Sequence, residues 1–180
     1  MSSTNNIFKA LQFAIKAHDG QLDKVGVPYI LHPISVMVLL ESKTNRPPVD
    51  LDSLWMEKAR IVALWHDIAE DTEYTVDDIL QEVDLNLSSK DIDDIKTALE
   101  LMTHDKSEPH NIYIDRIIQL ADTCEGIPLY VKKADIEHNT LPERTDLLDE
   151  ATRNKLREKY EYAAPAIDEA IRNFERQRYQ

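Results

Sequence analysis

The sequence predicts an all-α fold, an irregular helical bundle. Only three glycines occur among 180 residues, so β-hairpin turns and glycine-rich phosphate loops are hard to place. Few stretches alternate apolar with polar residues, whereas several carry apolar residues three and four positions apart. Hydrophobic residues make up 42% of the chain and charged residues 31%, a balance that supplies one core and a solvated surface. We therefore expect one domain over residues 1–180.

The first part of the chain should form two helices around a loop. Apolar residues at helical spacing predict a helix over Asn6–Ala17, and the glycine-containing segment His18–Tyr29 follows as a loop. A second helix should begin near His32, because Pro33 suits a first helical turn. The apolar residues after Pro33 are expected to be largely buried: Ile34, Val36, Met37, Val38, Leu39 and Leu40.

A third helix is predicted over Leu51–Ala69, after a loop that ends at Pro47 and Pro48. Lys58 is the one polar interruption of its apolar face. Two capping pairs, Thr75 with Asp78 and Ser88 with Asp91, indicate the starts of two further helices. The remaining helices are predicted over His110–Ala121, Pro128–Glu137, Glu150–Tyr162 and Pro165–Arg176.

Charge and cysteine content exclude several classes of function. The formal net charge of −13 argues against nucleic-acid binding, because a polyanion is held mainly by an excess of Lys and Arg. A phosphorylated small molecule remains possible, since distant acids are screened over a Debye length of about 8 Å and local cations act at short range. The single cysteine, Cys124, fits a reducing cytoplasm, and no long apolar stretch predicts a secretion signal or a membrane span. The oligomeric state stays open.

The segment LWHDIAEDT concentrates ionisable side chains at the end of the third predicted helix. His66, Asp67, Glu70 and Asp71 lie within one and a half helical turns, so Glu70 should be near His66 and Asp67, and Asp71 should stack over Asp67. Like charges in such a group are costly unless a cation or solvent compensates them. An ordinary acidic helix end leading into a loop is the alternative.

Two distant residues favour a metal site over that alternative. His32 lies at a predicted helix start and Asp135 in the late segment VKKADIEHNT, so ligands could converge from three separate helices. Two imidazoles and two carboxylates form a mixed nitrogen and oxygen shell that suits Mn²⁺, Fe²⁺, Zn²⁺ or Mg²⁺.

The order His32, His66–Asp67, Asp135 resembles the H…HD…D pattern of the HD superfamily of metal-dependent phosphohydrolases. Three segments, AHDGQLDKVGVPYILHP, ALWHDIAEDT and VKKADIEHN, are similar to the hydrolase domain of RelA/SpoT-type enzymes and their small single-domain relatives. A bare His-Asp dipeptide is a weak signal, whereas these segments in this order are specific. The resemblance implies an HD-type helical bundle that extends over residues 1–180 as a single phosphohydrolase domain.

The resemblance also implies roles for individual residues. His32, His66, Asp67 and Asp135 are expected to bind one divalent cation, with Mn²⁺ as the first candidate. Glu70 and Asp71 are expected to serve catalysis by orienting water or exchanging protons, and spacing does not decide which of them is the general base.

Four further residues are candidate substrate contacts: Lys24, Tyr29, Lys132 and Asn139. Each has a structural alternative. Lys24 could be a solvated loop cation, Tyr29 a core aromatic residue and Asn139 a helix C-cap, while Lys132 and its neighbour Lys133 could both be merely solvated.

One departure concerns the substrate. Alarmone hydrolases of this type carry an arginine before the loop lysine, where this chain has Asp23, and the change places guanosine tetraphosphate specificity in question. Hydrolysis of a 3′-pyrophosphate as in guanosine 3′,5′-bis(diphosphate) is the leading hypothesis. The alternatives are another nucleotide mono- or triphosphate hydrolase, a non-catalytic nucleotide-sensing module, or a helical interaction protein.

Several residues are expected to have no role in the site. The histidines outside the pattern are interpreted as surface or packing residues: His18, His104, His110 and His138. The acidic group Asp91, Asp93 and Asp94 is expected to be a solvated helix face rather than a second metal site, and Cys124 a small core residue rather than a nucleophile.

Overall fold

The computed structural model describes residues 3–42 and 53–178, and the regular elements in these ranges are helices. The predicted all-α fold is confirmed. The α-helices are α1 Ser3–Ala17, α2 Leu31–Leu40, α3 Leu54–Trp65, α4 Ile68–Asp71, α5 Val76–Glu82, α6 Ser89–Met102, α7 His110–Leu120, α8 Ile127–Thr140, α9 Pro142–Thr145 and α10 Glu150–Arg178, with a 3₁₀ turn at Ala121–Cys124 between α7 and α8.

Helix α8 lies at the centre of the packing that positions the site. It packs against α2, α3 and α10, while α1 and α2 both pack on α3. The largest side chains buried in the core are aromatic: Trp65, Tyr113 and Tyr130. The described helices include none that is long and apolar enough to cross a lipid bilayer.

Local signals located the helix starts well. The Thr75 hydroxyl accepts the Asp78 amide, and the Asp78 carboxylate accepts the Thr75 amide, so the predicted capping box is present. Ser88 caps α6 through the Asp91 amide in the same way. The predicted loop ending at Pro47 and Pro48, and the start of the third predicted helix at Leu51, lie outside the described residues. Val38, predicted to be buried, is exposed.

The helix predicted over Leu51–Ala69 is interrupted at His66 and Asp67, so the prediction of one continuous helix is wrong. In a continued helix the Ala63 carbonyl would accept the amide of Asp67. Instead the Nδ1–H of His66 donates to the Ala63 carbonyl oxygen at 2.8 Å. The chain turns, and the Asp67 carbonyl then accepts the amides of Glu70 and Asp71 at the start of α4. The break places His66 and Asp67 at a corner between two helices.

The two helices predicted over Glu150–Tyr162 and Pro165–Arg176 form one helix, α10. Proline inside a helix removes one backbone hydrogen bond and costs about 3 kcal/mol. That cost is offset because one buried face runs through the proline position, formed by Leu156, Tyr160, Ala163, Ile167, Ile171 and Phe174.

The prediction of a solvated acidic face on α6 is wrong for two of its three residues. Asp93 is exposed, but Asp91 and Asp94 are buried around the Lys58 ammonium, which is 2% exposed. The Lys58 Nζ lies 3.3 Å from Asp91, 2.7 Å from Asp94 and 2.8 Å from Glu125. A lysine from α3 therefore occupies the centre of this acidic group. Cys124 is buried, as predicted, and burial raises the pKa of its thiol to about 12.

Candidate functional site

Four side chains from three parts of the chain meet at one point. The Asp67 Oδ2 lies 3.2 Å from the Nε2 of His32 and 3.0 Å from the Nε2 of His66. The Asp135 Oδ1 lies 3.3 Å and 3.9 Å from the same two nitrogens. His32 comes from the first turn of α2, His66 and Asp67 from the corner after α3, and Asp135 from α8. The structure thus brings together all four residues predicted as metal ligands.

The orientation of the histidine rings fits a cation. The Nδ1–H of His66 donates to the Ala63 carbonyl, which leaves Nε2 as a lone pair directed at the two carboxylates. That Nε2 atom is buried and makes no well-oriented hydrogen bond among the described residues, although the Asp67 Oδ2 lies 3.0 Å away. An unpaired buried nitrogen costs free energy unless a ligand satisfies it. Ligand atoms of His32, His66 and Asp67 lie within 4.8 Å of one another, a span that one ion could bridge.

Asp135 is held from two sides by residues on its own helix. Lys132 Nζ lies 2.8 Å from Oδ2, and Asn139 Nδ2 donates to Oδ1 at 2.6 Å. Lys132 is buried, so the alternative that it is merely solvated is wrong. Asn139 is not a helix C-cap either, since α8 ends at Thr140 and Leu141 is its C-cap. Both residues orient the carboxylate, and both line the cavity described below.

Tyr29 connects the ligand cluster with the predicted catalytic pair. Its hydroxyl lies 2.6 Å from the Asp67 Oδ2 and 3.0 Å from the Asp71 Oδ2, so one O–H proton serves two carboxylates. Glu70 lies beside them with Oε2 accepting the His104 amide at 3.3 Å. Lys106 Nζ approaches the Asp71 Oδ1 at 3.9 Å. Tyr29 is therefore a hydrogen-bond donor to the cluster rather than a simple core aromatic residue.

Charge and burial shift the pKa values of the cluster. Burial alone would lower the pKa of His32, but Asp135 and Asp67 outweigh it and raise that pKa to about 9. Burial would likewise raise the pKa of both aspartates. His66 and His32 instead hold the pKa of Asp67 well below its usual value, and Lys132 and His32 do the same for Asp135. Burial, reinforced by the charge of Asp67, raises the pKa of Glu70, which suits a group that exchanges protons.

The cluster lies at the base of a cavity of about 500 Å³. Four cations line it: Lys24, Lys132, Arg144 and Lys159. Burial, together with the charge of Lys132, lowers the pKa of Lys159, as expected for a cation held close to others. The cavity thus combines a carboxylate-rich base with cationic walls, although the chain as a whole carries a net charge of −13.

The loop between α1 and α2 forms one wall of this cavity. Lys24 is exposed and lines the cavity, as expected for a candidate substrate contact. Asp23 has a structural role: its Oδ1 accepts the amides of Val25 and Val27, and its Oδ2 lies 2.8 Å from Arg144 Nη1. The acid at this position therefore brings a guanidinium from α9 to the cavity wall.

Sequence reasoning missed three residues of the site. Arg144 and Lys159 line the cavity, and neither belongs to the segments that carry the resemblance. His138 was interpreted as a packing residue, yet its Nδ1 lies 2.6 Å from the Nδ1 of His32. Its position three residues after Asp135 on a helix was the available signal, because such residues share a face.

The other three histidines lie around the site without joining the ligand cluster. The His18 ring lies 4.8 Å from that of Tyr29 and its Nδ1 contacts Gln21. His104 supplies its amide to Glu70, and its ring packs on Tyr113 with centroids 4.6 Å apart. His110 contacts the rings of His104 and Tyr160. Packing is the role that these contacts indicate for the three rings.

Comparisons with known proteins identify sequence relatives of this chain. The chain is 34% identical over 134 residues to guanosine-3′,5′-bis(diphosphate) 3′-pyrophosphohydrolase of Borreliella burgdorferi, covering 74% of this chain and 18% of that protein. It is 30% identical over 125 residues to the enzyme of the same name from Haemophilus influenzae, covering 68% of this chain and 16% of that protein. A GTP pyrophosphokinase of Streptomyces antibioticus is 39% identical over 82 residues, covering 45% of this chain and 8% of that protein. The chain thus spans less than a fifth of these relatives.

One solved structure matches the fold over nearly the whole of this chain. It is described as a metazoan ortholog of SpoT that hydrolyses ppGpp and plays a role in starvation responses. The superposition has a TM-score of 0.64 with 20% sequence identity and covers 97% of this chain and 96% of that one. No protein-family model matches the chain.

The chain has the HD-type helical fold of that solved structure. The sequence matches make it more particular: the domain is similar to the hydrolase domain of SpoT/RelA-type enzymes.

Proposed function

We propose that this chain is a metal-dependent phosphohydrolase that removes pyrophosphate from the 3′ position of guanosine 3′,5′-bis(diphosphate) or a closely related nucleotide. The observation that carries the proposal is the convergence of His32, His66, Asp67 and Asp135 beside Glu70 and Asp71 at the base of a cation-lined cavity. The named hydrolase relatives agree with it.

The four converging residues would hold one divalent cation. When bound, such a cation supplies a Lewis acid for a phosphoryl oxygen and makes water a stronger nucleophile near neutral pH. Mn²⁺ is the ion we propose first because the resemblance to HD-type hydrolases implies it; the mixed imidazole and carboxylate ligand set would also suit Fe²⁺, Zn²⁺ or Mg²⁺. The cytoplasmic location inferred from the single cysteine also remains a prediction.

Glu70 and Asp71 would handle the water that attacks the phosphoryl group. Glu70 is half-buried with a raised pKa, so it would accept a proton from water and release it again at modest cost. Asp71, which accepts a hydrogen bond from the Tyr29 hydroxyl, would position the same water. We therefore propose Glu70 as the general base and Asp71 as its positioning partner.

The cationic walls would bind the phosphates of the substrate. Lys24 and Lys159 line the cavity from two separate elements, the loop between α1 and α2 and helix α10. Cations near the cavity act within a few ångströms, whereas the acids elsewhere on the chain are screened. This arrangement overcomes the unfavourable net charge at short range.

A nucleotide panel tests the proposal. Purified protein with Mn²⁺ is incubated with guanosine 3′,5′-bis(diphosphate), its adenosine counterpart, GTP and GMP, and the products are separated. We expect pyrophosphate and guanosine 5′-diphosphate from the first substrate. His66→Ala should abolish turnover, and the exposed Lys96→Ala should leave it unchanged.

Other outcomes distinguish the alternatives. Release of phosphate from GMP or triphosphate from GTP would assign the chain to another class of nucleotide hydrolase. The loop supports considering another nucleotide as substrate. Alarmone hydrolases carry an arginine where this chain has Asp23, and here Asp23 forms an ion pair with Arg144 instead. Binding of Mn²⁺ and nucleotide without turnover would instead indicate a sensing module.

A further inference from the structure

His138 is buried directly behind the candidate ligand His32. It lies on α8, three residues after Asp135, and is 6% exposed. Its Nδ1 is 2.6 Å from the Nδ1 of His32, and the two ring centroids are 4.8 Å apart with planes inclined by 35°. At this distance one proton lies between the two nitrogens, since two lone pairs or two N–H groups would repel.

The surroundings of the His32 Nε2 atom determine which of the two histidines carries the proton between the Nδ1 atoms. The Nε2 of His32 faces Asp67 and Asp135 at 3.2 and 3.3 Å, so this nitrogen must offer a lone pair when a cation is bound. The remaining proton of His32 is then on Nδ1, and the Nδ1 of His138 accepts it. His66 shows the same arrangement with a backbone acceptor, because its Nδ1–H donates to the Ala63 carbonyl.

We propose that His138 is a positioning residue for the metal ligand His32, fixing its tautomer and ring orientation through an imidazole-to-imidazole hydrogen bond. Histidine ligands almost always donate their second N–H to an acceptor, and loss of that acceptor typically weakens metal binding 10- to 100-fold. The inference rests on the proposed metal site and assigns a function to a residue outside the H…HD…D pattern. His138 is not among the residues that line the cavity, so it would act through His32.

The residues of α8 that contact the proposed metal site all lie on one face of the helix. Asp135 supplies a candidate ligand, Lys132 and Asn139 orient that carboxylate, and His138 orients the ligand from α2. Since α2 packs against α8, the hydrogen bond between His32 and His138 also fixes the relative position of two ligand-bearing helices.

The test measures Mn²⁺ binding to the full chain by isothermal titration calorimetry. His138→Phe keeps a ring but removes the acceptor, and we expect its dissociation constant for Mn²⁺ to rise about 10- to 100-fold. His138→Asn places an amide oxygen near the position of Nδ1, and we expect it to restore affinity to within about threefold of wild type. His110→Phe is the matched control, a partly buried histidine outside the ligand cluster that should bind Mn²⁺ as wild type does.

A second measurement does not depend on the folding of any variant. In the Zn²⁺-loaded wild-type protein, the His32 Nδ1–H should give a downfield nitrogen-bound proton resonance that exchanges slowly with water. Absence of that protected proton, or unchanged Mn²⁺ affinity in a folded His138→Phe variant, would overturn the positioning role. If the wild-type chain itself fails to bind Mn²⁺, the proposed function fails together with this inference; if only the His138 effects are missing, the proposed function stands.

Discussion

Single side chains in this site have separable tasks. We propose that the four converging residues hold a cation, whereas the Glu70 carboxylate accepts the His104 amide and is proposed to act on the attacking water. A change at Glu70 should therefore affect the chemical step without emptying the metal site.

Glu70→Gln tests that separation. The amide keeps the size of the side chain but cannot accept a proton from water, so we expect kcat to fall about 10²- to 10⁴-fold. Mn²⁺ affinity should change by less than about threefold. Steady-state kinetics with a parallel calorimetric titration measure both, and Asp93→Asn, at an exposed carboxylate, is the control. A kcat close to that of wild type would show that Glu70 is not the base.

Tyr29→Phe probes the connection between ligand and catalytic carboxylates. Removing the hydroxyl takes a hydrogen bond from both Asp67 and Asp71, so we expect Mn²⁺ affinity and kcat to fall together. A drop of about 10-fold in each is the magnitude typical of losing one orienting partner. Calorimetry and kinetics on the same preparation check this, and a loss confined to KM would assign Tyr29 to substrate binding alone.

The sequence predicted individual site residues mainly from residue type within recognisable motifs. The ligand and catalytic residues stood in recognisable segments, so their meeting at one point was predictable. His138 and Lys132 were harder, because a histidine or lysine on an amphipathic helix has the same sequence signature whether it is solvated or faces a buried carboxylate. Their roles depend on which neighbour packs against that face.

At the scale of elements, the contact between the loop and α9 shapes the cavity wall. Asp23 joins the two with one carboxylate, accepting loop amides through Oδ1 and pairing with Arg144 through Oδ2. The Asp23 side chain is 4% exposed, so this ion pair is shielded from solvent on one side. Shielding makes such a pair more costly to break than one on the surface.

Arg144→Ala should loosen this loop. We expect faster hydrogen exchange at the amides of Val25 and Val27, and a KM raised about 10-fold with a smaller change in kcat, because Lys24 is carried by the same loop. Arg144→Lys keeps a cation beside Asp23 and should lose less than Arg144→Ala, because the bonds from Asp23 Oδ1 to the loop amides stay in place. Unchanged amide exchange in Arg144→Ala would show that the loop is held by its own turns.

Helix boundaries illustrate what local signals do and do not determine. Capping residues located the starts of α5 and α6, since their hydrogen bonds lie within four residues. The break at His66 arises from a side chain that competes for a helix carbonyl, and the continuity of α10 through Pro165 arises from burial against α7 and α8. Neither can be seen in periodicity alone.

At the scale of the whole molecule, the buried group around Lys58 joins α3, α6 and the turn before α8. Lys58→Ala would leave three carboxylates without their common cation, and losing one partner of a buried ion pair costs about 3–5 kcal/mol. Lys96→Ala removes an exposed ion pair with Asp77 and should cost less than about 1 kcal/mol. Urea unfolding of both variants gives the comparison, and equal losses would mean that the Lys58 group contributes no more than a surface pair.

The same group predicts how stability depends on pH. A hydrogen bond from Ser88, aided by Lys58, lowers the pKa of Asp91, and Lys58 with Lys90 outweighs burial to lower that of Asp94. Groups with a folded pKa below the unfolded value, about 3.9 for Asp, stabilise the fold above that pH and lose the contribution as pH falls further. We expect the free energy of unfolding to decline below about pH 4, and to decline less in Asp94→Asn. A parallel decline in both proteins would contradict this origin.

The central claim is that residues far apart in the chain hold one divalent ion. Diffraction from crystals grown with Mn²⁺, recorded at the manganese absorption edge, tests it most directly. The account predicts a single anomalous peak per chain, bonded to the Nε2 atoms of His32 and His66 and to carboxylate oxygens of Asp67 and Asp135. A peak elsewhere in the molecule, or none in a crystal soaked to saturation, would contradict it.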